Sequence, residues 1–401
     1  MRSASWQRVA VPAVSFFQEG PGLRNWQWTD SGMKVINGTN IRDDGRFDPS
    51  NTTRAISLVE FESKYRHFAI DANDIVVASS GTLGKAALVK PEHLPMMMNT
   101  SVVRFRSKDR LRLDDGFLFA WLRSRDFLDQ ALGMATGAAQ QNFGPSHIKQ
   151  MTLPLPAIVE QRRIASILSA YDDLIENNTR RIAILEEMAR RIYEEWFVRF
   201  RFPGFEAVQM VASELGLVPD GWRVVRLDEV LVLQRGFDLP KQDRTDGPFP
   251  IISATGATAT HHEHRVKGPG VVTGRSGSLG TVMYVEGDFW PLNTTLWVKE
   301  FVVGSALYAF YVLQSIDLAG FNSGAAVPTL NRNDVHGLPV LRPTFDVLAR
   351  FDEVAGPTVG LKRRLEMKNT NLRTTRDLLL PKLISGELDV SALPEPKALT
   401  A

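Results

Sequence analysis

The stretch that most constrains this 401-residue chain runs from Glu160 to Phe200, with neither glycine nor proline inside it. Ile164, Leu168, Tyr171, Ile175, Asn178, Ile182, Leu185, Ala189, Ile192 and Trp196 recur at alternating steps of four and three. That is a heptad seam, which winds one helix against another. At 1.5 Å per residue the helix would extend roughly 60 Å, more than the width of a small domain. Asn178 interrupts the apolar seam, where polar residues fix register at some cost in stability. An amphipathic helix lying on a globular core would show the same period, so the seam needs a partner to be meaningful.

The chain offers one, because it repeats itself. DIVVASSGTLGKAALV (74–89) is echoed by GVVTGRSGSLGTVMYV (270–285), Ser276 lying 196 positions after Ser80. NTSVV at 99 is echoed by NTTLW at 293, FAWL at 119 by YAFY at 308, and TGAA at 136 by SGAA at 323. At the last offset, 187, Ile164, Ile167, Leu174 and Leu185 correspond to Phe351, Val354, Leu361 and Leu372. A constant order with drifting offsets is the trace of duplication with loop insertions.

Two long helices from tandem halves can bury both seams against each other, antiparallel. The expected fold is α/β (of the α+β kind): two tandem globular recognition domains, a pair of long antiparallel coiled-coil helices, and pseudo-twofold symmetry. The expected boundaries are a first domain at 1–155, a helix at 156–200, a linker at 201–221, a second domain at 222–343, a second helix at 344–388 and a tail at 389–401. The second helix is expected to be nicked near Gly356-Pro357. Helix pairing is expected through Ile164, Leu168, Tyr171, Ile175, Asn178, Ile182, Leu185 and Ile192, and through Phe351, Val354, Leu361 and Leu372. DNA readers with two recognition units engage half-sites whose separation the protein sets. The expected geometry suits a split DNA sequence.

Composition narrows the chemistry. The apolar fraction of 44% is that of a chain with real cores. No apolar run approaches the length of a membrane span, and the N-terminus makes a poor signal peptide. The absence of cysteine excludes disulfides, thiolate zinc sites and thiol nucleophiles, and fits a reducing, cytoplasmic location. A net charge of +2 does not announce a nucleic-acid binder. Arg104, Arg106, Lys108, Arg110 and Arg112 nonetheless fall at every second position, as a phosphate-facing stripe or a solvated strand edge would place them.

Catalytic motifs are missing. SSGTLGKAA (79–87) approaches a phosphate loop but has Ser79 for the first glycine and alanine after Lys85, and RSGSLGTV lacks the lysine. A glycine hairpin that offers backbone N–H groups and hydroxyls to DNA fits it better. HHEH (261–264) has no counterpart in the first half and no zinc-protease spacing, so no metal site is expected. There is no dinucleotide fingerprint followed by an acidic residue, no serine elbow and no Asn/Asp-Pro-Pro-aromatic loop. Two other readings compete: a phosphate-loop-like NTPase or transferase using the Ser79–Lys85 turn, and a coiled-coil scaffold with no DNA role.

Several motifs together resemble the DNA-specificity subunit of Type I restriction–modification systems. They are the openings EGPGLR (19–24) and LQRGFDLP (233–240), the turns SGTLG and SGSLG, and TGAAQQNFGPSHIKQMTLPLPAIVEQRRIASIL (136–168) running into the central helix. WFVRFRFPG (196–204) and LLLPKLISGEL (378–388) resemble the ends of the two helical regions. VLARFDEVA (347–355) departs from the EQRRIASIL pattern, which leaves partner contacts at the second helix start less defined.

The resemblance implies a subunit without catalysis of its own. Each domain would read half of an asymmetric, bipartite sequence in double-stranded DNA, and the helices would set the spacer. Two modification subunits would methylate adenine N6 with S-adenosylmethionine on a flipped base. Two restriction subunits would use ATP and magnesium to translocate and cleave. None of these cofactors should bind this chain. Loop side chains that make paired hydrogen bonds are the expected DNA contacts. In the first half they are Arg24, Asn25, Lys34, Asn37, Asn40, Ser80, Thr82, Lys85, Gln140, Gln141 and Asn142. In the second they are Arg235, Lys241, Gln242, His261, His262, Arg275, Ser276, Ser278 and Asn331. Arg162, Arg163, Arg180, Arg181, Arg190 and Arg191 lie off the seam and are expected to meet partners or phosphates.

Overall fold

A computed structural model describes residues 6–50, 52–81, 83–134, 142–321 and 328–395. It divides into two compact units of mixed helix and sheet, Met1–Asn178 with Lys368–Ala401, and Thr179–Met367. Both boundaries fall inside the long helices, rather than at the linker that the sequence suggested. Antiparallel pairing explains this: the first part of one helix and the last part of the other pack on the same globular body.

In the first unit, Ser15–Glu19, Val102–Ser107, Ile75–Ala78 and Ala86–Leu88 form an antiparallel sheet in that order. Ile75–Ala78 reads IVVA and is buried at every position, as expected of a strand covered on both faces. A second sheet orders Ala55–Ile56, Met33–Ile36 and Met97–Met98, the last pair parallel. Arg8–Ala10 pairs with Thr152–Pro154 just before the first long helix. The apolar run at 115–135 is two helices, Asp115–Leu122 and Arg125–Met134. The break holds Ser124, which is buried and donates its hydroxyl to the Trp121 carbonyl at 2.6 Å.

The second unit repeats the plan. Leu231–Arg235, Thr295–Phe301, Gly270–Gly274 and Val282–Val285 form the four-stranded sheet, and Gly256–His261, Phe249–Ser253 and Trp290–Pro291 the three-stranded one. Arg223–Arg226 pairs with Pro339–Arg342 before the second long helix. The two sheets thus have the same strand order in both halves.

The first long helix spans Ile158–Tyr193 and ends in a wider turn, Glu194–Val198. All ten predicted seam residues are buried or half-buried. The second spans Phe345–Ile384 without a break, which corrects the expected nick. Glu353, whose carbonyl loses its bond at Pro357, and Pro357 itself are both exposed, so water can take the missing donor's place. Val354 is also corrected: it is 47% exposed. The buried and half-buried line runs through Phe351, Ala355, Thr358, Lys362, Leu365, Asn369, Leu372, Arg376, Leu379 and Leu383, again in steps of four and three. Thr358, Lys362, Asn369 and Arg376 are polar, so apolar periodicity alone misplaces the seam by one residue.

These polar positions have partners on the first helix. Within the first unit, Asn178 Nδ2 donates to Asn369 Oδ1 at 2.9 Å, and Arg376 Nη1 lies 2.6 Å from Asp172 Oδ1. Asn369 Nδ2 also donates to the Ile175 carbonyl at 3.3 Å. Within the second unit, Lys362 Nζ lies 3.0 Å from Glu186 Oε1, and the Tyr193 and Trp196 rings meet Phe351. In each unit higher numbers on one helix meet lower numbers on the other, so the packing is antiparallel.

Candidate nucleic-acid interface

The repeated motifs lie far apart in sequence, yet each unit brings its own set together. The glycine turns have the same backbone in both: Gly81 and Gly84 have φ of 76° and 77°, Gly277 and Gly280 of 88° and 85°. Only glycine enters that left-handed region without strain. The turn is tied to the segment before the long helix, Ser80 bridging to Asn142 and Ser276 to Thr329. Phe143 N donates to the Ser79 carbonyl at 3.1 Å, and Leu330 N to the Arg275 carbonyl at 2.8 Å.

The opening loops cross the Asn-Thr motifs at closest approach. A Cβ on Gly20 would lie 2.2 Å from the Asn99 carbonyl oxygen, and one on Gly236 2.2 Å from that of Leu292. The turns reach the same segments: Ser79 N donates to the Ser101 carbonyl at 2.9 Å and Arg275 N to the Thr294 carbonyl at 2.8 Å. Opening loop, Asn-Thr segment, glycine turn and polar tail therefore converge on one region of each unit.

In the first unit this region presents Arg24 and Asn25, both exposed. Trp26, which the sequence reading did not single out, is 76% exposed between Asn25 and buried Gln27. Gln27 fixes the loop: its Oε1 accepts from Arg24 N at 2.7 Å, and its Nε2 donates to Glu60 at 2.7 Å and to the Tyr65 hydroxyl at 3.0 Å. The signal that could have found the pair is Trp26-Gln27-Trp28, apolar bulk set beside the resemblance motif. Lys34, Asn142 and Ser278 are exposed, Ser80 and Ser276 half-buried. In the second unit, Lys241 and Gln242 are exposed on the short helical turn Lys241–Asp243, where the first unit has Asn25–Gln27. Arg235 reaches Asp238 at 3.3 Å, Asn293 donates to the same carboxylate, and Arg275 Nη1 donates to the Asn293 carbonyl at 3.4 Å. Exposed Asn331 caps Arg332–His336 by accepting from Asn333 N at 3.1 Å.

Several expected contacts are corrected. Asn40 is 1% exposed, and its amide donates to the Asp48 carbonyl and Thr52 hydroxyl, so it shapes its loop. Asn37 Oδ1 accepts from Thr39 N at 2.8 Å, a capping role. His261 is 3% exposed, accepts from Thr245 N at 3.2 Å and packs edge-on against Trp290. Lys85 is engaged by Asp43 at 2.5 Å. Four of the five alternating basic residues are engaged within the fold: buried Arg104 donates to the His67 carbonyl at 2.9 Å, Arg106 pairs with Asp74, Lys108 reaches the Pro12 carbonyl, and Arg110 reaches Asp115, while Arg112 is exposed. Thr82, Gln140 and Gln141 lie outside the described residues, as do the TGAA and SGAA segments. On the long helix, Arg190 and Arg191 pair with Glu187, and Arg162 reaches Glu395 at 3.5 Å.

His261, His262 and Glu263 bring ligand atoms within 4.8 Å of one another. Both Nδ1 atoms contact Thr245, and His262 Nε2 lies 3.6 Å from Glu263. Among the described residues no helix is long and apolar enough to cross a membrane.

The units differ where the strand after the opening loop continues. In the first, 18 residues (37–54) join Met33–Ile36 to Ala55–Ile56. Arg42 pairs with Asp48, Asp44 approaches Arg373 at 4.0 Å, and Gly45 sits against the Arg123 guanidinium. Hydrogen bonds from Ser50 and Arg42 hold the Asp48 carboxyl down to about 2. In the second, Ala254-Thr255 alone make the connection. There an open cleft of about 900 Å³ is lined by Leu185, Ala189, Ile252, Met283, Phe310 and Val359 among others.

Comparison with known proteins agrees with this geometry. Residues 25–187 match the model of the Type I restriction modification DNA specificity domain. The Type I restriction enzyme MjaIX specificity subunit of Methanocaldococcus jannaschii is 23% identical over 353 residues, 80% of this chain and 78% of that one. The putative MjaX specificity subunit of the same organism is 29% identical over 168 residues, 41% of this chain and 38% of that one. The crystal structure of a Type I restriction-modification S subunit from M. genitalium aligns over 94% of this chain and 96% of its own, with 18% identity and a TM-score of 0.61, a likeness of fold. Residues 25–187 thus carry the Type I restriction modification DNA specificity domain, and the similarity to a Type I specificity subunit extends along four-fifths of the chain.

Proposed function

We propose that each unit reads one half of an asymmetric, bipartite sequence in double-stranded DNA, and that the chain carries no catalysis of its own. The observation behind this reading is the twofold convergence of opening loop, Asn-Thr segment and glycine turn, with exposed Arg24, Asn25, Lys241 and Gln242 beside it. Such side chains pair with base edges, and backbone N–H groups in the turns suit phosphates. The long helices, paired as an antiparallel coiled coil, set the unread spacer. Their outer faces dock two modification subunits that bring S-adenosylmethionine, and two restriction subunits that bring ATP and magnesium. The complex works in the cytoplasm.

The test is a map of N6-methyladenine in cells that co-express the chain with its modification subunit. One heptad inserted after Asn178, with a matching heptad in the second helix, should lengthen the spacer and leave both half-sites unchanged. Replacing residues 1–155 with another recognition half should alter one half-site only. Changed half-sites in the first experiment, or changes in both in the second, would overturn the proposal.

A further inference from the structure

We infer that the polar residues in the two seams are a key that lets each helix pair with the unlike helix and opposes pairing of like halves between two copies of the chain. This rests on the helix pairing and not on the DNA reading. The seams superpose at the 187-residue offset: Ile164 corresponds to Phe351, Leu168 to Ala355, and so on to Trp196 and Leu383. If only apolar periodicity mattered, a first half could bind a first half as readily as a second.

The polar positions break that equivalence. Buried Arg376 meets Asp172 at 2.6 Å, buried Asn369 meets buried Asn178 at 2.9 Å, and Lys362 meets Glu186 at 3.0 Å. Pairing two second helixes in the same geometry puts at each of these sites the residue 187 positions after the first-helix partner. Arg376 would then face Val359, Asn369 would face Leu365, and Lys362 would face Arg373. Two buried guanidiniums would lose the carboxylate across the seam, keeping only the neighbouring Asp377, and like charges would meet. Pairing two first helices sets Asp172 against Ala189, Asn178 against Ile182 and Glu186 against Ile175. Each polar group loses its partner across the seam there too, Asp172 keeping only Arg123 of its own body. The unlike pair alone gives all six a polar partner across the seam.

A second contact follows the same logic outside the seam. Lys90 pairs with Glu176 in the first unit, while the equivalent residues in the second, Glu286 and Arg363, pair with the charges exchanged at 2.8 Å. Each globular body is thus keyed to one helix: set on the other, Lys90 would face Arg363, and Glu286 would face Glu176. The consequence is a reader whose two halves are always unlike.

The test uses the full chain with a protease site inserted between Glu214 and Leu215, at the exposed turn that joins the paired strands Met210–Ser213 and Gly216–Pro219. Two differently tagged preparations are cleaved, mixed, unfolded in urea and refolded, and the pairs are counted by native mass spectrometry. Random pairing of halves would give half of all pairs as like pairs. The key predicts a like-pair share at least tenfold below that. The triple variant K362I/N369I/R376A, which copies the first seam onto the second, should raise pairs of second halves at least tenfold. Like pairs at the random share in the wild type, or an unchanged share in the triple variant, overturn the inference. On the uncleaved chain, K362E should lower the urea midpoint and E186K/K362E should restore it. A double variant no more stable than the single one overturns it as well.

Discussion

The two units share one strand order and one set of glycine turns, yet they treat charge in opposite ways. Where the first sets Lys90 against Glu176, the second sets Glu286 against Arg363. Where Arg376 meets Asp172 in the first, with Arg123 joining them, the second has Ala189 and Val359 at the equivalent positions, lining an open cleft. Duplication thus kept the features that backbone geometry requires and released the rest. A carbonyl oxygen 2.2 Å from a would-be Cβ tolerates only glycine, whatever the half. An ion pair needs opposite signs, in either order.

The shared feature is the easiest to break. Gly20→Ala and Gly236→Ala should each destabilise their own unit by about 2–3 kcal/mol, because the colliding atoms are backbone and cannot step aside. Thermal unfolding followed in each variant checks this. Gly22→Ala, with nothing within 4 Å, is the control and should stay within about 0.5 kcal/mol of wild type. Equal melting of Gly20→Ala and Gly22→Ala would remove the argument for a matched crossing.

The inverted feature is weaker. Lys90→Glu and Glu286→Lys each create a like-charge contact at a partly exposed site, and each should cost about 0.5–1 kcal/mol, less at high salt. Lys90→Glu with Glu176→Lys should recover the loss. Denaturant titration of the single and double variants gives the coupling, and a double variant as unstable as the sum of its parts would mean that the pairs are incidental.

The unique feature carries the smallest effect. Asp48 belongs to the 37–54 loop of the first unit, and its carboxyl is depressed to about 2 by Ser50 and Arg42. A depressed carboxyl stabilises the fold above its unfolded value of about 3.9, and that contribution fades as pH falls through the folded value. The loop should therefore loosen between about pH 4 and 2, and Asp48→Asn should flatten that response. Limited proteolysis within 37–54 across this range measures it; identical profiles for the variant and wild type would show that Asp48 does not hold the loop.

The repeat, the first seam and the glycine turns were legible in the sequence because they depend on local period and on residues with no substitute. The second seam was not. Lys362, Asn369 and Arg376 read as surface residues until Glu186, Asn178 and Asp172 are set opposite them, so apolar period alone selects Val354 in place of Ala355. The candidate DNA contacts divide on the same ground. Arg24, Asn25, Lys241 and Gln242 are exposed as their loop positions suggested, whereas Asn40 and His261 are held inside by hydrogen bonds to residues that no spacing rule connects to them.

Sequence alone determined that there are two halves, that each ends in a long helix, and where the chain must turn on glycine. Periodicity and steric exclusion act along the chain and need no partner to be read. Tertiary structure alone decided which polar residues are buried, which helix face is the seam, and which loop side chains are left free. Burial of a charge or an amide depends on what stands across from it, and that is settled only when distant segments meet.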